Sequence, residues 1–351
     1  MSLLTHHSPQ KLGVIAGIGA AGVVTAYLLN KFAKHQRYWN AEYVNVGRVE
    51  RLFLYPIKSC KPIETSFLDC TERGSRNGWL MDREYLVVDE LHEHLFLTAR
   101  QYPKLVLVDC EATTNKFTAK FPDGKRVEID LEEIVKRNDV RRAILHEGKQ
   151  TDGLDCGDEV GQAFTEYLGL EGKRKLRLLK FDPKLWTERD FRSDPNWWNN
   201  PVPDVQDHIN FNDMTSFMAI STASLEVLNE KLQEVGSEKV EIRNFRPNFY
   251  IKADIPFTED YWLNVRIGDA EFACYRPCTR CVLTTVNPET GVKNKEMQPL
   301  KLLRDFRLAP EGPLREEFQK SPIFGVFMCA IRPGRIRSGD TVFAQLKPTP
   351  F

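Results

Sequence analysis

Two cysteines separated by two residues, Cys278 and Cys281, lie in the polar segment 276–291 beside the guanidinium of Arg280. A positive charge next to a thiol favours the thiolate, the form that acts as a nucleophile or as a ligand for a soft metal. The apolar, β-branched run 282–286 that comes next predicts a strand, and the Asn-Pro-Glu-Thr-Gly sequence at 287–291 predicts a turn. This segment therefore has the clearest potential for chemistry in the chain.

The residues alone leave several uses for this cysteine pair open. A structural zinc site needs a second pair of ligands, and the sequence contains no other Cys-x-x-Cys and no His-x-x-x-His. A thioredoxin-like dithiol opens a helix after a strand, whereas here a strand is predicted after the motif. Two buried structural thiols are a further alternative, because free cysteine packs well as a small hydrophobic residue.

The composition of the chain limits its fold and its partners. A length of 351 residues allows one large domain or two of modest size. The 49 basic residues balance the 49 acidic ones, so the net charge gives no electrostatic indication of nucleic-acid binding. The eight cysteines follow no disulfide-framework spacing, which favours reduced thiols in a cytosol-like compartment.

The N-terminal region differs from the rest of the chain in hydropathy. After the short segment 1–11, residues 12–29 form a stretch of 18 residues without a charge, which is just long enough to span a bilayer. The linker 30–43 is basic, and positive charge on that side favours a cytosolic location for the large domain beyond it. We therefore predict a transmembrane signal-anchor at 12–29; a buried globular helix or a removed targeting peptide are the alternatives.

The remainder of the chain must position the cysteine pair, and its patterns are those of many short strands. Before residue 182, one helix is predicted at 159–168, and strands are predicted at 47–55, 84–88, 95–98, 105–110, 116–121, 126–129, 142–146 and 175–181. After residue 210, one helix is predicted at 224–235, and strands are predicted at 217–221, 262–267, 270–275 and 341–346. Short strands at this spacing favour a β-barrel or sandwich over a doubly wound sheet.

Between these two blocks, residues 182–210 have no periodicity and are rich in Pro, Asp, Asn and Trp. Irregular stretches of this length are uncommon inside compact domains, so the segment is either a linker or a functional lid. Its three tryptophans, Trp186, Trp197 and Trp198, favour an ordered loop that packs on the protein or faces a substrate.

Six short motifs, in this order along the chain, resemble those of the MOSC-domain family and, within it, of the amidoxime-reducing components. They are Tyr-Pro-Ile-Lys58-Ser59-Cys, Met-Asp-Arg83, Thr98-Ala-Arg-Gln, Asn-Phe-Arg246-Pro-Asn248, Cys-Thr-Arg280-Cys281 and Ser-Pro-Ile-Phe-Gly325. The resemblance extends over residues 44–346. It implies a β-rich α+β fold with a MOSC N-terminal β-barrel domain at 44–181, a MOSC β-barrel domain at 182–346 and a tail at 347–351, all C-terminal to the transmembrane helix.

The resemblance also implies a molybdenum cofactor and a set of residues that hold it. Cys281 would be the catalytic cysteine whose thiolate binds molybdenum. The pterin and its phosphate would be held by Lys58, Ser59, Arg83, Asp213, Thr215, Arg246, Asn248, Thr279 and Arg280. Phe327 stands where the family carries a tyrosine, so a contact there would use its backbone. These roles agree with chemistry, because a phosphate dianion takes several Arg or Lys donors and a high-valent molybdenum accepts a thiolate.

The activity implied is reduction of small N-hydroxylated compounds (amidoximes, hydroxylamines and N-hydroxyguanidines). The chain has no nicotinamide or haem motif, so its electrons would come from an outside donor. The resemblance implies that this donor is cytochrome b5, reduced by NADH-cytochrome b5 reductase. The implied location is the mitochondrial outer membrane with the catalytic domain facing the cytosol; peroxisomal and reticular membranes are alternatives. A different class of function is a non-redox cofactor or sulfur carrier with a persulfide on Cys281, and a third is a membrane-held thiol protein without metal.

Overall fold

The computed structural model describes residues 41–193 and 202–350, together with Thr25. A compact unit begins at Val44. Among the described residues, no helix has the length and apolar character needed to cross a bilayer. The predicted anchor at 12–29 lies outside the described residues except for Thr25, and so do the segment 1–11 and most of the linker 30–43.

The described residues are mostly strands joined by short helices. The strands are β1 Val44–Leu54, β2 Ile63–Thr65, β3 Phe67–Thr71, β4 Gly74–Asn77, β5 Leu80–Met81, β6 Tyr85–Asp89, β7 Leu95–Phe96, β8 Asp109–Ala112, β9 Lys116–Lys120, β10 Arg126–Asp130, β11 Val140–Ile144, β12 Gln150–Asp155, β13 Leu176–Lys180, β14 Asp190–Arg192, β15 Gln206–His208, β16 Phe217–Ser221, β17 Phe249–Lys252, β18 Trp262–Ile267, β19 Ala270–Thr279, β20 Ile323–Arg332, β21 Gly334–Arg337 and β22 Thr341–Leu346. The α-helices are α1 Leu131–Arg137, α2 Asp158–Tyr167, α3 Thr222–Glu234, α4 Leu300–Phe306 and α5 Pro313–Phe318. Single 3₁₀ turns lie at Glu90–His92, Pro103–Leu107, His146–Gly148, Ile242–Asn244, Thr258–Tyr261 and Val282–Thr285.

The strands close into two barrels, which confirms the β-barrel expectation. The first barrel runs in the order β11-β12-β13-β6-β7 and closes through a parallel contact between β7 and β11. The second runs in the order β17-β16-β20-β19-β18-β22-β1 and closes where β1 pairs with β17. Closure leaves no open edges in either ring. The largest core cluster takes buried side chains from both barrels, whereas Leu86, Val88 and Leu179 of the first barrel belong to a separate cluster.

The first strand of the chain belongs to the second barrel. Strand β1 pairs antiparallel with β22 on one side and with β17 on the other, both far away in sequence. Just after β1 the chain contacts the first barrel, where the backbone N–H of Lys58 donates to the carbonyl of Tyr85 in β6 at 2.8 Å. It then returns through β2, which pairs with β1. The Lys58-Ser59 step predicted at a strand end therefore lies where the two barrels meet.

Two predicted strands are wrong. Residues 105–110 were expected to be extended, but Pro103–Leu107 form a 3₁₀ turn because Pro103 sets the helical φ at its first position. The run 282–286 is also a 3₁₀ turn over Val282–Thr285. There the hydroxyls of Thr284 and Thr285 donate to carbonyls three residues back, at 2.9 and 2.8 Å, and these local bonds outweigh the β preference of the side chains.

The irregular stretch 182–210 is ordered at both of its described ends. Strand β14 pairs antiparallel with β15. The guanidinium carbon of Arg142 lies 4.4 Å from the centre of the Trp186 ring. Trp197 and Trp198 lie outside the described residues. The segment therefore contributes regular structure as well as a loop, and its β14 end lies close to the predicted site.

Candidate functional site

All the residues predicted for the site line one cavity of about 150 Å³. They are Cys281, Lys58, Ser59, Arg83, Asp213, Thr215, Arg246, Asn248, Thr279, Arg280 and Phe327. Several long connections bring them together: Lys58 and Ser59 follow β1, Arg83 precedes β6, and Cys281 follows β19. The structure thus assembles the complete set in one place, while the role of each toward a cofactor stays a prediction.

Arg280 is a structural element of this cavity rather than the charge that faces the thiol. Its Nε donates to the carbonyl of Phe324 at 2.7 Å, and its Nη1 donates to the carbonyl of Phe245 at 2.9 Å. Burial lowers the pKa of this guanidinium, which is 7% exposed. Arg280 therefore binds backbone carbonyls and not the sulfur of the adjacent Cys281. The prediction that Arg280 supplies the positive charge beside that sulfur is wrong.

The guanidinium that contacts the Cys281 sulfur is that of Arg100. Its Nε donates to Sγ of Cys281 at 3.3 Å, and its Nη2 donates to Oδ2 of Asp213 at 2.8 Å. Its Nη1 lies in hydrogen-bond contact with Nε2 of His146. Lys293 fixes the backbone at this point, because its Nζ donates to the Arg100 carbonyl at 2.5 Å. Arg100 is thus held on three sides with one donor directed at the sulfur.

Sequence reasoning missed both Arg100 and His146 as site residues. Arg100 stands inside the Thr98-Ala-Arg-Gln motif, so a signal was present, because it is the charged residue of a motif to which no role was given. His146 carried no comparable signal, since it is a single histidine at the end of a predicted strand. Only the fold places it beside the thiol.

Asp213 joins the cations around the sulfur. Its Oδ1 accepts from Nζ of Lys58 at 2.5 Å and lies 3.2 Å from Nε2 of His146. Burial disfavours the charged carboxylate, but Lys58, His146 and Arg100 outweigh that effect and hold the pKa of Asp213 well below its usual range. Burial also disfavours the charged form of the lysine, and for a cation this lowers the pKa, here that of Lys58 to about 8.

The backbone that carries Asp213 is fixed by Arg189, another residue that sequence reasoning missed. Its guanidinium donates to the carbonyls of Asn210 at 3.1 Å and Asp213 at 3.0 Å, and also to that of Asn212. Burial lowers the pKa of Arg189 to about 10. Because Arg189 comes from the irregular stretch 182–210, that stretch positions one wall of the cavity.

Two arginines and a tyrosine form a stack on another side of the cavity. The guanidinium groups of Arg83 and Arg246 lie 4.2 and 4.3 Å from the centre of the Tyr55 ring. Each guanidinium gains from the electron-rich face of the ring. Nη1 of Arg246 donates to the carbonyl of Cys60 at 2.7 Å, whereas its Nη2 is buried without a hydrogen-bond partner among the described residues. An unpartnered buried donor at a cavity wall indicates a missing acceptor.

The backbone at these positions is strained. Ser59, Arg83 and Arg246 have φ values of +70°, +48° and +57°, a region that residues other than glycine rarely adopt. Such conformations cost about 1–3 kcal/mol each and occur preferentially at ligand-binding sites. Three of the predicted site residues therefore share this conformation, although it also occurs outside the site, for example at Asn138 and Phe257.

Two other predicted residues are bonded within the protein. The Asn248 side chain donates to Oδ1 of Asp82 at 3.1 Å and accepts from the backbone N–H of Met218 at 3.2 Å. The Thr215 hydroxyl donates to the carbonyl of Met328 at 2.7 Å. Both side chains frame the cavity by joining strands, and their predicted contacts with a cofactor stay predictions.

Cys278 differs from Cys281 in its surroundings. It is 2% exposed and packs in a core cluster with Leu303 and Phe324, and burial raises the pKa of its thiol to about 12. Cys278 also lines the cavity, so it fits the prediction of a pocket thiol or a core residue. Among the described residues, no group of three or more His, Cys, Asp or Glu side chains is arranged to hold a metal ion.

The cavity fits a phosphate-bearing cofactor with a thiolate-bound metal. Its lining includes five cationic side chains, namely Lys58, Arg83, Arg100, Arg246 and Arg280, against the single carboxylate of Asp213. The unpartnered Nη2 of Arg246 is a donor that a phosphate oxygen would satisfy. Cys281 supplies one sulfur at the same cavity, as a soft, thiolate-accepting metal requires.

Comparison with known proteins agrees with this geometry. Residues 46–171 match the MOSC N-terminal beta barrel domain, and residues 206–343 match the MOSC domain. Mitochondrial amidoxime-reducing component 1 from Mus musculus is 34% identical over 331 residues, which are 94% of this chain and 91% of that protein. Its counterpart from Homo sapiens is 34% identical over 350 residues, 97% of this chain and 95% of its own. The chain belongs to the MOSC family of amidoxime-reducing components.

In this member of the family, the boundaries of the two domain matches differ from the boundaries of the two barrels. The MOSC N-terminal match begins at residue 46 and includes most of β1, although β1 pairs within the second barrel. Residues 172–205 lie between the two family matches and contain Arg189, which fixes the Asp213 backbone. Among solved structures, the YuaD protein of Bacillus subtilis aligns with 87% of this chain and 98% of its own, at 11% identity and a TM-score of 0.34.

Proposed function

We propose that this chain is a molybdenum-cofactor enzyme that reduces N-hydroxylated compounds (amidoximes, hydroxylamines and N-hydroxyguanidines) to the parent amidines or amines. The relatives that match over nearly its whole length are named as amidoxime-reducing components. The observation that carries the proposal is the position of Cys281, whose sulfur lies at a cavity with five cationic side chains and one carboxylate. That combination suits a metal ligand beside an anionic cofactor.

In this proposal the residues of the cavity divide into two groups. Cys281 provides the protein thiolate for the metal, and Arg100 donates a hydrogen bond to its sulfur. Arg83 and Arg246, with Lys58 and Ser59, bind the phosphate and the pterin. The bound molybdenum cofactor supplies two-electron chemistry at an N–O bond that no side chain can provide. Asp213 balances part of the positive charge and keeps Lys58 and Arg100 in place.

The overall reaction consumes two electrons and two protons, breaks the N–O bond and releases the oxygen as water. We propose that the electrons arrive singly from cytochrome b5, which NADH-cytochrome b5 reductase reduces. We also propose that residues 12–29 anchor the chain in the mitochondrial outer membrane with residues 44–350 facing the cytosol. Anchoring donor and acceptor on one surface raises their effective concentration.

The decisive experiment measures molybdenum and pterin in the full chain produced in a host that makes the cofactor. Wild type is expected to hold both near stoichiometrically and to reduce benzamidoxime with cytochrome b5 and its reductase. Cys281→Ala should retain pterin but show an altered molybdenum spectrum and no reduction. Cys329→Ala is the matched control, because its thiol packs in a core cluster and does not line the cavity, and it should keep both cofactor and activity.

Two results would contradict the proposal in different ways. Wild type without molybdenum and pterin would exclude the reductase. A labile sulfane sulfur on Cys281 in place of molybdenum would favour the alternative, a sulfur-carrier protein.

A further inference from the structure

The loop 287–299 follows the 3₁₀ turn that comes directly after Cys281, and it presents apolar side chains to solvent. Val292 is 60% exposed and Met297 is 37% exposed. Leu283, in the turn itself, is half-buried at the wall of the first cavity. Apolar side chains that are exposed together, with polar groups around them, mark surfaces that bind another molecule.

This loop has one fixed shape although it lies on the surface. Oδ1 of Asn287 accepts from two backbone N–H groups of the loop at 2.8 and 3.1 Å, and Oδ1 of Asn294 accepts from two more at 2.9 and 3.1 Å. Gly291 has a φ of +64°, and a Cβ there would lie 3.1 Å from Cα of Lys104, so the loop packs closely on the Lys104 segment. A surface that is already ordered loses little conformational entropy when a partner binds.

Positive charge is in excess around the exposed apolar side chains. Four lysines lie on the loop or contact it, namely Lys104, Lys293, Lys295 and Lys301. The loop carries two carboxylates, Glu289 and Glu296, and Glu289 is paired with Arg243. The lysines therefore outnumber the carboxylates, and the charge favours a partner with an acidic surface.

Hydrogen bonds connect this loop to the cysteine sulfur. Nζ of Lys293 donates to the carbonyl of Arg100 at 2.5 Å, and Nε of Arg100 donates to Sγ of Cys281 at 3.3 Å. The backbone N–H of Asn294 donates to the carbonyl of Thr285, four residues after Cys281, at 2.8 Å. A partner bound on the loop is therefore separated from the sulfur by one arginine and one short turn.

We propose that the loop 287–299, together with Lys104 and Lys301, is the docking face for the protein that delivers electrons to this chain. The partner is a small one-electron carrier with acidic side chains around its redox group. The proposal rests on the proposed reductase function and adds to it the surface at which the electron donor binds.

The shape and charge of the docking face suit a transient electron carrier. Electron-transfer complexes bury less than about 1,200 Å² in total, so one loop and its neighbours are enough. Opposite charge on the two proteins raises the rate of association and still allows fast release. Each docked donor is oxidised by one electron. Two docking events, with two protons from solvent, therefore reduce one N–OH group to N–H and release one water.

The test reverses charge on the docking face in the cofactor-loaded full chain. In the double variant Lys295→Glu with Lys301→Glu, the Kd for cytochrome b5 measured by calorimetry should rise on the order of tenfold at low ionic strength. The difference should shrink at high ionic strength, where surface charges are screened. Benzamidoxime reduction driven by cytochrome b5 should slow accordingly, whereas reduction driven by dithionite, which needs no docking, should be unchanged. The dithionite rate also shows that the variant is folded and loaded.

The matched charge control is Lys136→Glu with Lys252→Glu, two exposed lysines on α1 and β17 that line neither cavity. It should leave the Kd for cytochrome b5 unchanged. Val292→Ser tests the apolar part and should raise that Kd severalfold at any ionic strength. Val135→Ser is its control, because Val135 is 58% exposed on α1, and it should have no effect.

Three outcomes separate the docking face from the reductase. An unchanged Kd in the loop variants would overturn the docking face, whether or not sedimentation shows that these variants alter self-association of the chain. A wild type that reduces benzamidoxime with dithionite but does not bind cytochrome b5 would also overturn it and leave the reductase standing. A wild type that binds cytochrome b5 through the loop but reduces benzamidoxime with neither donor would refute the reductase and leave the docking face standing.

Discussion

Arg100 and Cys281 are 181 residues apart in the chain, and Nε of the arginine donates to the sulfur at 3.3 Å. Burial lowers the pKa of Arg100, but Asp213 and the Cys281 sulfur outweigh it, so the pKa of the guanidinium is raised and its charge is secure. Hydrogen bonds to a metal-bound sulfur change the reduction potential of the metal. Arg100 is therefore a positioning residue that acts on the proposed metal through Cys281.

The first prediction concerns this contact. Arg100→Gln removes the positive charge, so activity should fall by roughly 10- to 100-fold. Arg100→Lys keeps the charge but loses the planar guanidinium that donates to several partners, so activity should fall by less. The range corresponds to the 1.5–3 kcal/mol of a hydrogen bond to a charged group. A shift in the reduction potential of the molybdenum centre should accompany the loss in Arg100→Gln. Arg126→Gln, an exposed arginine on β10, is the control, and an unaltered potential in Arg100→Gln would refute the role.

The second prediction concerns the glycine behind Arg280. Gly325 has a φ of +96°, and a Cβ there would lie 2.7 Å from the carbonyl oxygen of Ala219 and 3.1 Å from Nη2 of Arg280. Gly325→Ala should therefore displace the guanidinium, reduce cofactor content and destabilise the fold by more than about 3 kcal/mol.

The control for that substitution isolates backbone strain from close contact. Gly339 has a φ of +90° with no atom within 4 Å of a Cβ added there, so Gly339→Ala should cost only about 1 kcal/mol. Thermal unfolding and pterin content measure both variants. Equal destabilisation of the two would show that contact with Arg280 plays no part.

The positions of the site residues could be predicted from sequence to a large extent. The order of six motifs was enough to gather Lys58, Arg83, Arg246 and Cys281, and the structure brings all of them to one cavity. Motifs identify residues by family pattern, so they succeed without knowledge of the path of the chain. The strand patterns likewise predicted barrels, because alternation of buried and exposed side chains depends only on local sequence.

The features that could not be predicted depend on contacts between distant segments. Proximity in sequence placed Arg280 beside Cys281, yet tertiary contacts turn Arg280 toward Phe324 and bring Arg100 to the sulfur. Nothing local indicates that β1 closes the second barrel, since its partners β17 and β22 come about two hundred and about three hundred residues later. The 3₁₀ turn at Val282–Thr285 also depends on threonine hydroxyls that bond back to the chain, against their β propensity.

The third prediction concerns the stack of Arg83, Tyr55 and Arg246. Tyr55→Phe keeps the ring and removes a hydroxyl that is buried without a hydrogen-bond partner in the described part of the chain, so stability should stay equal or rise by up to about 1 kcal/mol. Tyr55→Leu removes two cation–π contacts and leaves a void, and should cost about 3 kcal/mol together with part of the bound pterin. Urea unfolding and pterin content test this. A Leu variant as stable as the Phe variant would mean that the stack contributes nothing.

The last prediction concerns pH. Burial lowers the pKa of Lys58 from its ordinary value of 10.5 to about 8, so in the cofactor-free protein its charge is lost as pH rises through that value. Phosphate binding to cofactor-free protein should then weaken between pH 7.5 and 9.5, by at most about tenfold per pH unit. Stability should change in the opposite direction. Between pH 8 and 10.5 the unfolded chain holds the proton that the folded lysine has lost, so the contribution of Lys58 to the free energy of unfolding rises with pH.

Lys58→Arg separates this effect from other titrations, because arginine keeps its charge throughout the range. Its phosphate affinity should be nearly constant from pH 7.5 to 9.5, whereas that of Lys58→Met should be weak and equally flat. Arg246, whose pKa burial lowers to about 10, stays mostly charged over this interval and does not produce the same slope. A wild-type affinity as flat as that of Lys58→Arg would show that Lys58 either keeps its proton or does not contact the anion.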